Sequence, residues 1–176
     1  MIASLSGSVQ FIGEDYLVRD VQGVGYKVFV PVPLLLNQNT GHTLSLVTHL
    51  VVRQDAMVLY GFENNEDRHL FEMLIAVNRI GPKLAIAILS ALDASAVKRA
   101  VLNNHVEVLN NVPGVGKKTA QGIVLQLQDK FKGEDLLAPI SRMDSADADI
   151  LDALVALGYN IVEAQTAIQS IPTDAP

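Results

Sequence analysis

The chain reads as a multidomain α+β protein: a small N-terminal five-stranded barrel, a central all-helical domain built on an internal duplication, and a small helical unit on a linker. Three observations predict this. Apolar residues alternate through the first sixty positions, a motif then recurs thirty-five residues downstream of itself, and after Lys132 the helical pattern lapses before two last short amphipathic stretches.

Strands are expected at Ile2 to Phe11, Tyr16 to Val21, Gly25 to Val30, Thr43 to Val52 and Met57 to Gly61, separated by Gly, Asp, Pro and Asn turn signals. Five short strands in about sixty residues suit a small closed barrel of the oligonucleotide-binding (OB-fold) type. The barrel is assigned residues 1–63. Gly23-Val24-Gly25 opens like a dinucleotide fingerprint, but Val28 stands at the last glycine position and the run continues as a strand. It therefore predicts a hairpin turn.

From Asn64 the period becomes helical. Asn65 is the expected cap of a helix through Asp67, Leu70, Leu74 and Val77, with Glu66 and Asp67 in its acidic first turn. Pro82 suits the first position of the next helix, and Asp93 caps another through Val97 to Leu102. A further helix precedes Pro113, and Lys117 to Phe131 closes the 64–132 domain. Residues 133–146 mix Gly, Pro, Ser and acids and read as a flexible linker. Beyond it, residues 147–176 hold two short helices, one along Ile150, Leu151, Leu154, Val155 and Leu157 with Gly158 as C-cap, the other from Asn160 to Pro172. So small a unit suits partner docking; a tail with helical tendency is the alternative.

The duplication carries the functional information. Leu74 to Leu89 reads LIAVNRIGPKLAIAIL and Leu109 to Val124 reads LNNVPGVGKKTAQGIV. They overlay at Leu74/Leu109, Val77/Val112, Ile80/Val115, Gly81/Gly116, Lys83/Lys118, Ala85/Ala120 and Ile88/Ile123, which defines a tandem helix-hairpin-helix. In each copy a second helix opens just after a tight bend, and Gly116 is expected to supply backbone freedom there. The first amides of such a helix lack partners within it and present the positive end of its dipole, a ready anion site. Lys83, Lys117 and Lys118 add mobile positive charge suited to phosphate, without base-reading information. The expected DNA contacts are Asn78, Arg79, Ile80, Gly81 and Lys83 in the first hairpin. In the second they are Gly114, Val115, Gly116, Lys117, Lys118 and Thr119. A single copy would read as a C-cap glycine with a solvated lysine face; two copies at fixed separation can hold successive phosphates.

The net charge of −6 conceals an asymmetry that agrees. Residues 1–63 carry three basic and five acidic side chains, residues 64–133 nine and six, and residues 134–176 one and eight. Positive charge is concentrated on the segment bearing the hairpins. There is no cysteine, so disulfides and thiolate metal sites are excluded. No signal peptide or membrane span is indicated, and a cytoplasmic location is expected.

Catalytic signatures are incomplete. Gly114 to Thr119 resembles the end of a P-loop, but Asn111 replaces its first glycine and Lys118 its magnesium-binding hydroxyl, so the chain carries no ATPase site of that kind. His42, His49, His69 and His105 show no metal-ligand spacing, and no cofactor is implied. One enzymatic alternative is a helix-hairpin-helix DNA glycosylase or lyase with Lys118 as Schiff-base nucleophile, Lys117 lowering its pKa and Asp129 or Asp135 as the carboxylate. Another alternative is a general duplex-binding adaptor.

Across almost its whole length the chain resembles the RuvA family, the Holliday-junction-binding subunits of the bacterial branch-migration machine. The resemblance is carried by Gly23-Val24-Gly25-Tyr26, THLVVRQDAMVLYGF at Thr48 to Phe62, Gly81-Pro82-Lys83-Leu84-Ala85, PGVGKKTA at Pro113 to Ala120 and ALVALGY at Ala153 to Tyr159. It implies a homotetramer, single or paired, that holds the junction open in recombination and repair. It also implies a non-catalytic role beside the hexameric ATPase RuvB and the resolvase RuvC. The C-terminal unit would be UBA-like and bind RuvB through Leu154, Leu157, Gly158 and Tyr159, although a third helix usual in relatives is not evident. The resemblance further implies an acidic pin on the hairpin between the fourth and fifth strands, here Arg53-Gln54-Asp55, with Gln54 in place of one acid. Arg79 also takes the place of a glycine usual in the first hairpin; if that position needs positive φ, arginine there is strained.

Overall fold

The computed structural model describes residues 1–141, with side-chain surroundings as far as Gly133. The chain divides into two units, Met1–Gln128 and Asp129–Pro176, and the first carries both barrel and hairpins. Strands β1 (Ser4–Ile12), β2 (Tyr16–Val21), β3 (Val24–Phe29), β4 (Thr43–Val52) and β5 (Met57–Phe62) close in the order β1-β2-β3-β5-β4. Only the β3–β5 pairing is parallel among these neighbours. This is the expected OB-type barrel, with β1, β3 and β5 differing by a residue or two from their expected bounds.

Alternation explains its interior. Leu5, Leu17, Val28, Val30, Leu46 and Leu59 point inward and are buried. Gly61 belongs to the same layer because a Cβ there would lie 2.7 Å from Val28 and 3.0 Å from Leu46. The β2–β3 turn is the two-residue loop Gln22-Gly23, both with positive φ, and the Gly23 amide donates to Asp20 Oδ1 at 2.8 Å. The Gly-Val-Gly run is thus a hairpin, as its sequence predicts.

Two barrel features escape the sequence pattern. Helix α1 (Val32–Leu36) follows β3 and contributes Leu34 and Leu35 to the barrel core. One turn is too short to display a helical period, and Pro31 and Pro33 read as loop. Arg19 occupies an inward position of β2 and is fully buried, its guanidinium donating to the Gly7 carbonyl while burial lowers its pKa.

Five helices follow among the described residues: α2 (Asn65–Ile75), α3 (Pro82–Ala91), α4 (Ala94–Leu102), α5 (Val106–Asn110) and α6 (Lys117–Ser141). Asn64, not Asn65, caps α2, its side chain accepting from the Asp67 amide at 2.8 Å. Either asparagine can cap; Asn64 is the one with extended backbone, while Asn65 is already helical. Asp93 caps α4 as expected, accepting from the Ala96 amide at 2.6 Å. Helix α6, expected to end near Phe131, continues to Ser141 through the first part of the segment read as linker. Glu134, Leu136, Leu137 and Ala138 are good helix formers, and Gly133 alone does not end the helix.

Phe71 of α2 joins barrel to helices. Its ring lies 5.0 Å from Tyr60, 5.1 Å from Phe62 and 5.5 Å from His49, whose Nδ1 is 2.9 Å from Glu72 Oε1. His49 is therefore a packing and hydrogen-bonding residue between β4 and α2. The expected C-terminal helices and the residues Leu154, Leu157, Gly158 and Tyr159 lie outside the described residues.

Candidate nucleic-acid interface

The repeat divides its residues into two classes. Its apolar pairs form the helical core: Leu74 and Leu109, Val77 and Val112, Ile80 and Val115, Ala85 and Ala120, Ile88 and Ile123 are all buried. Gly81, Gly116, Lys83 and Lys118 stand exposed. The core pairs fix both bends identically. Ile80 N–H donates to Val77 O at 3.1 Å in the first, and Val115 N–H to Val112 O at 3.0 Å in the second.

Two of the expected contacts, Ile80 and Val115, have buried side chains and engaged amides and so shape the bends. A correction concerns the glycines. The left-handed position is Gly114 (φ 88°), not Gly116, and its counterpart in the first hairpin is Arg79 (φ 72°). Arg79 therefore occupies the strained conformation, costing about 1 kcal/mol or more. Gly81 and Gly116 serve differently: a Cβ at either would meet nothing within 4 Å. The fold does not require those glycines, but they leave space beside the amides that follow.

Main-chain accounting shows what is offered there. At the start of α6 the amides of Gly116, Lys117, Lys118 and Thr119 have no acceptor among the described residues, and the first engaged amide is Ala120, donating to Gly116 O at 2.9 Å. At the start of α3 only Gly81 and Lys83 remain free among the described residues. Pro82 has no N–H, and Leu84 already donates to Gly81 O at 3.1 Å. Helices α2 and α4 have side-chain caps, whereas α3 has none and α6 follows a residue that cannot supply one. Lys117 and Lys118 are exposed beside the richer amide cluster, and Lys83 beside the poorer.

Each bend rests on the opposite repeat. The Asn78 amide faces Gln126 Oε1 of α6 at 3.4 Å, and a Cβ on Gly114 would lie 3.2 Å from Leu84 of α3. The two bends are thereby held side by side.

The third expected element, the tip between β4 and β5, is a four-residue loop closed by Arg53 N–H donating to Ala56 O at 2.8 Å; Arg53, Gln54 and Asp55 are exposed. It is joined to the first hairpin by one groove, lined by Arg53, Asp55, Val58, Tyr60, Gly81 and Lys83 among others. Burial raises the Tyr60 pKa, with Arg53 opposing and Asp15 adding to the shift. Tyr60 does not stand out in the sequence, where it is simply an outward position of a strand.

Comparison with known proteins bears on this arrangement. A model described as the RuvA N terminal domain matches residues 1–61, and one described as a SAM-like helix-hairpin-helix tandem matches residues 71–129. A Herpetosiphon aurantiacus protein named Holliday junction branch migration complex subunit RuvA is 42% identical, over 100% of this chain and 91% of its own length. Its namesakes from Chloroflexus aggregans and Dehalococcoides mccartyi are 44% and 42% identical, covering 100% and 97% of this chain and 91% and 89% of theirs. The chain belongs to the RuvA family.

Within this RuvA-family chain the matched tandem spans both bends and both amide clusters. The lyase alternative finds no support in these matches, and with Lys118 and Lys117 exposed burial does not activate an amine nucleophile. Among the described residues no group of three or more His, Cys, Asp or Glu is arranged to hold a metal, and no helix is long and apolar enough to cross a membrane.

Proposed function

We propose that the chain binds four-way junction DNA, irrespective of sequence, as the non-catalytic DNA-binding subunit of a branch-migration complex in recombination and repair. The observation that carries this reading is the pair of uncapped helix starts, α3 and α6, with open space at Gly81 and Gly116 and lysines alongside. Free amides and ammonium groups bind phosphate oxygens and do not read base edges, so an arm can shift by one step and meet the same contacts. Lys83, Lys117, Lys118 and the side chain of Arg79 supply the salt-dependent part of affinity; the amides of Gly81, Gly116 and Thr119 supply its directional part. Asn78 and Gly114 act through the backbone of the bends.

The exposed Arg53-Gln54-Asp55 tip, sharing a groove with Lys83, suits a pin at the junction centre, where Asp55 repels phosphate and discourages linear duplex. The names of the relatives support membership of a branch-migration complex. We propose further that the chain works as a homotetramer, singly or in pairs, in the cytoplasm with the nucleoid, recruiting RuvB through the C-terminal residues and working beside RuvC.

Gel shifts of the full chain on four-way junction, duplex and single strand test the reading. Junction affinity should exceed duplex affinity by at least about tenfold at physiological salt, and equal affinities would leave a general duplex adaptor. With RuvB and ATP, strand exchange of a labelled junction should follow.

A further inference from the structure

Four aromatic rings cross the outside of the barrel in a continuous line. Phe11 of β1, Tyr16 of β2, Phe29 of β3 and Tyr60 of β5 succeed one another at centroid separations of 6.0, 6.0 and 5.9 Å. Tyr16 is the register partner of Phe29, and Phe29 of Tyr60, so strand pairing sets the line. None of the four is buried, and Phe11 is 53% exposed. Soluble barrels ordinarily present polar residues on this face, which makes an uninterrupted aromatic row a surface in want of an occupant.

Positive charge accompanies it. Lys27 Nζ lies 3.8 Å from the Tyr16 centroid and 5.0 Å from that of Phe29, on a flexible stem that can exchange ring for phosphate. At the inner end, Phe29 and Tyr60 share a groove with Lys83 and Asp15, and Tyr60 shares a second with Arg53, Asp55 and Lys83. Three cations thus border the row, against the two carboxylates Asp15 and Asp55. Aromatic faces in series beside mobile cations are the features by which single strands are held without sequence preference. The row also meets, through Lys83, the surface proposed above for junction phosphates.

We infer that the Phe11–Tyr16–Phe29–Tyr60 row is a binding path for unpaired DNA, which takes bases of a strand separated beside the β4–β5 tip. This rests on the DNA-binding reading of the hairpins and extends it to a second, stacking contact with single-stranded substrate.

The test uses the full-length chain and two probes, a labelled short oligothymidylate and a fully paired four-way junction. A Phe11→Ala/Phe29→Leu variant keeps apolar volume at the more covered position, and its melting temperature checks folding. The variant should lose about tenfold in oligothymidylate affinity while junction affinity stays within about twofold. Photo-crosslinking of an iodouracil-substituted strand to the wild type should mark Tyr16 or Tyr60. Unchanged oligothymidylate affinity, or crosslinks confined to residues 79–83 and 114–119, overturns the inference. A changed oligomeric mass with unchanged oligothymidylate affinity overturns it in favour of a contact between copies of the chain. Failure of the wild type to bind the junction would instead remove the junction reading, and the oligothymidylate arm would still report on the row.

Discussion

The two hairpins share a buried framework and differ in what they present. The second leaves four amides free and adds two adjacent lysines, with glycine in the left-handed bend; the first leaves two amides free and has one lysine, with arginine in that bend. A repeat can therefore keep its shape through five apolar pairs while its two ligand-facing surfaces diverge. On the DNA-binding reading proposed above, the second hairpin holds mainly through the backbone, which is rigid and direction-specific. The first relies more on side-chain charge, which is mobile and screened by salt.

The largest difference between the hairpins is expected when a carboxylate is placed where phosphate would bind. Gly116→Asp supplies α6 with the cap it lacks, so the free protein should be as stable as before or slightly more so. Junction affinity should nevertheless fall by on the order of a hundredfold. Gly81→Asp should cost less, and if gel shifts rank the two substitutions in the opposite order the asymmetry is wrong.

Arg79 allows backbone and side chain to be separated. Arg79→Gly relieves the positive-φ strain and should raise the melting temperature by a few degrees, for about 1 kcal/mol. The same variant should bind junction more weakly, with a salt dependence lower by about one phosphate contact. A stability gain without change in salt dependence would leave Arg79 as a strained, solvent-facing residue.

A smaller effect is expected at the tip. Gln54→Glu restores a second acid per subunit and should raise the ratio of junction to duplex affinity by a few-fold. An unchanged ratio would remove Asp55 and its neighbours from discrimination.

The smallest effect concerns a helix start that is capped. The Asp93 carboxylate is held below its ordinary pKa by hydrogen bonds from Ser95 and the Ala96 amide. A depressed carboxylate stabilises the fold at pH above its unfolded value, and that contribution disappears as pH falls through the folded value. Asp93→Ala should cost about 1 kcal/mol at neutral pH and progressively less in acid, by thermal melts, with junction affinity unchanged. Loss of junction affinity there would mean that α4 also faces DNA.

Much of this is legible in the sequence. The thirty-five-residue offset pairs every core residue of one bend with its counterpart, because burial tolerates only a narrow set of side chains at those positions. The exposed glycines and lysines stood out for the opposite reason, being polar or side-chain-free interruptions of an apolar pattern. Other features were hidden. Asn64 and Asn65 are equivalent as letters and differ only in backbone conformation. Helix α1 is shorter than its own period, and Gly114 and Gly116 exchange roles once φ is known.

The barrel, the twin bends and the placement of positive charge each follow from local periodicity and composition along a continuous stretch. Which amides stay unpaired, that Arg79 carries the strain, and that rings from four strands form one row emerge only when the chain is folded. Those properties depend on φ, on hydrogen-bond partners and on strand register, which bring together residues that no local pattern links.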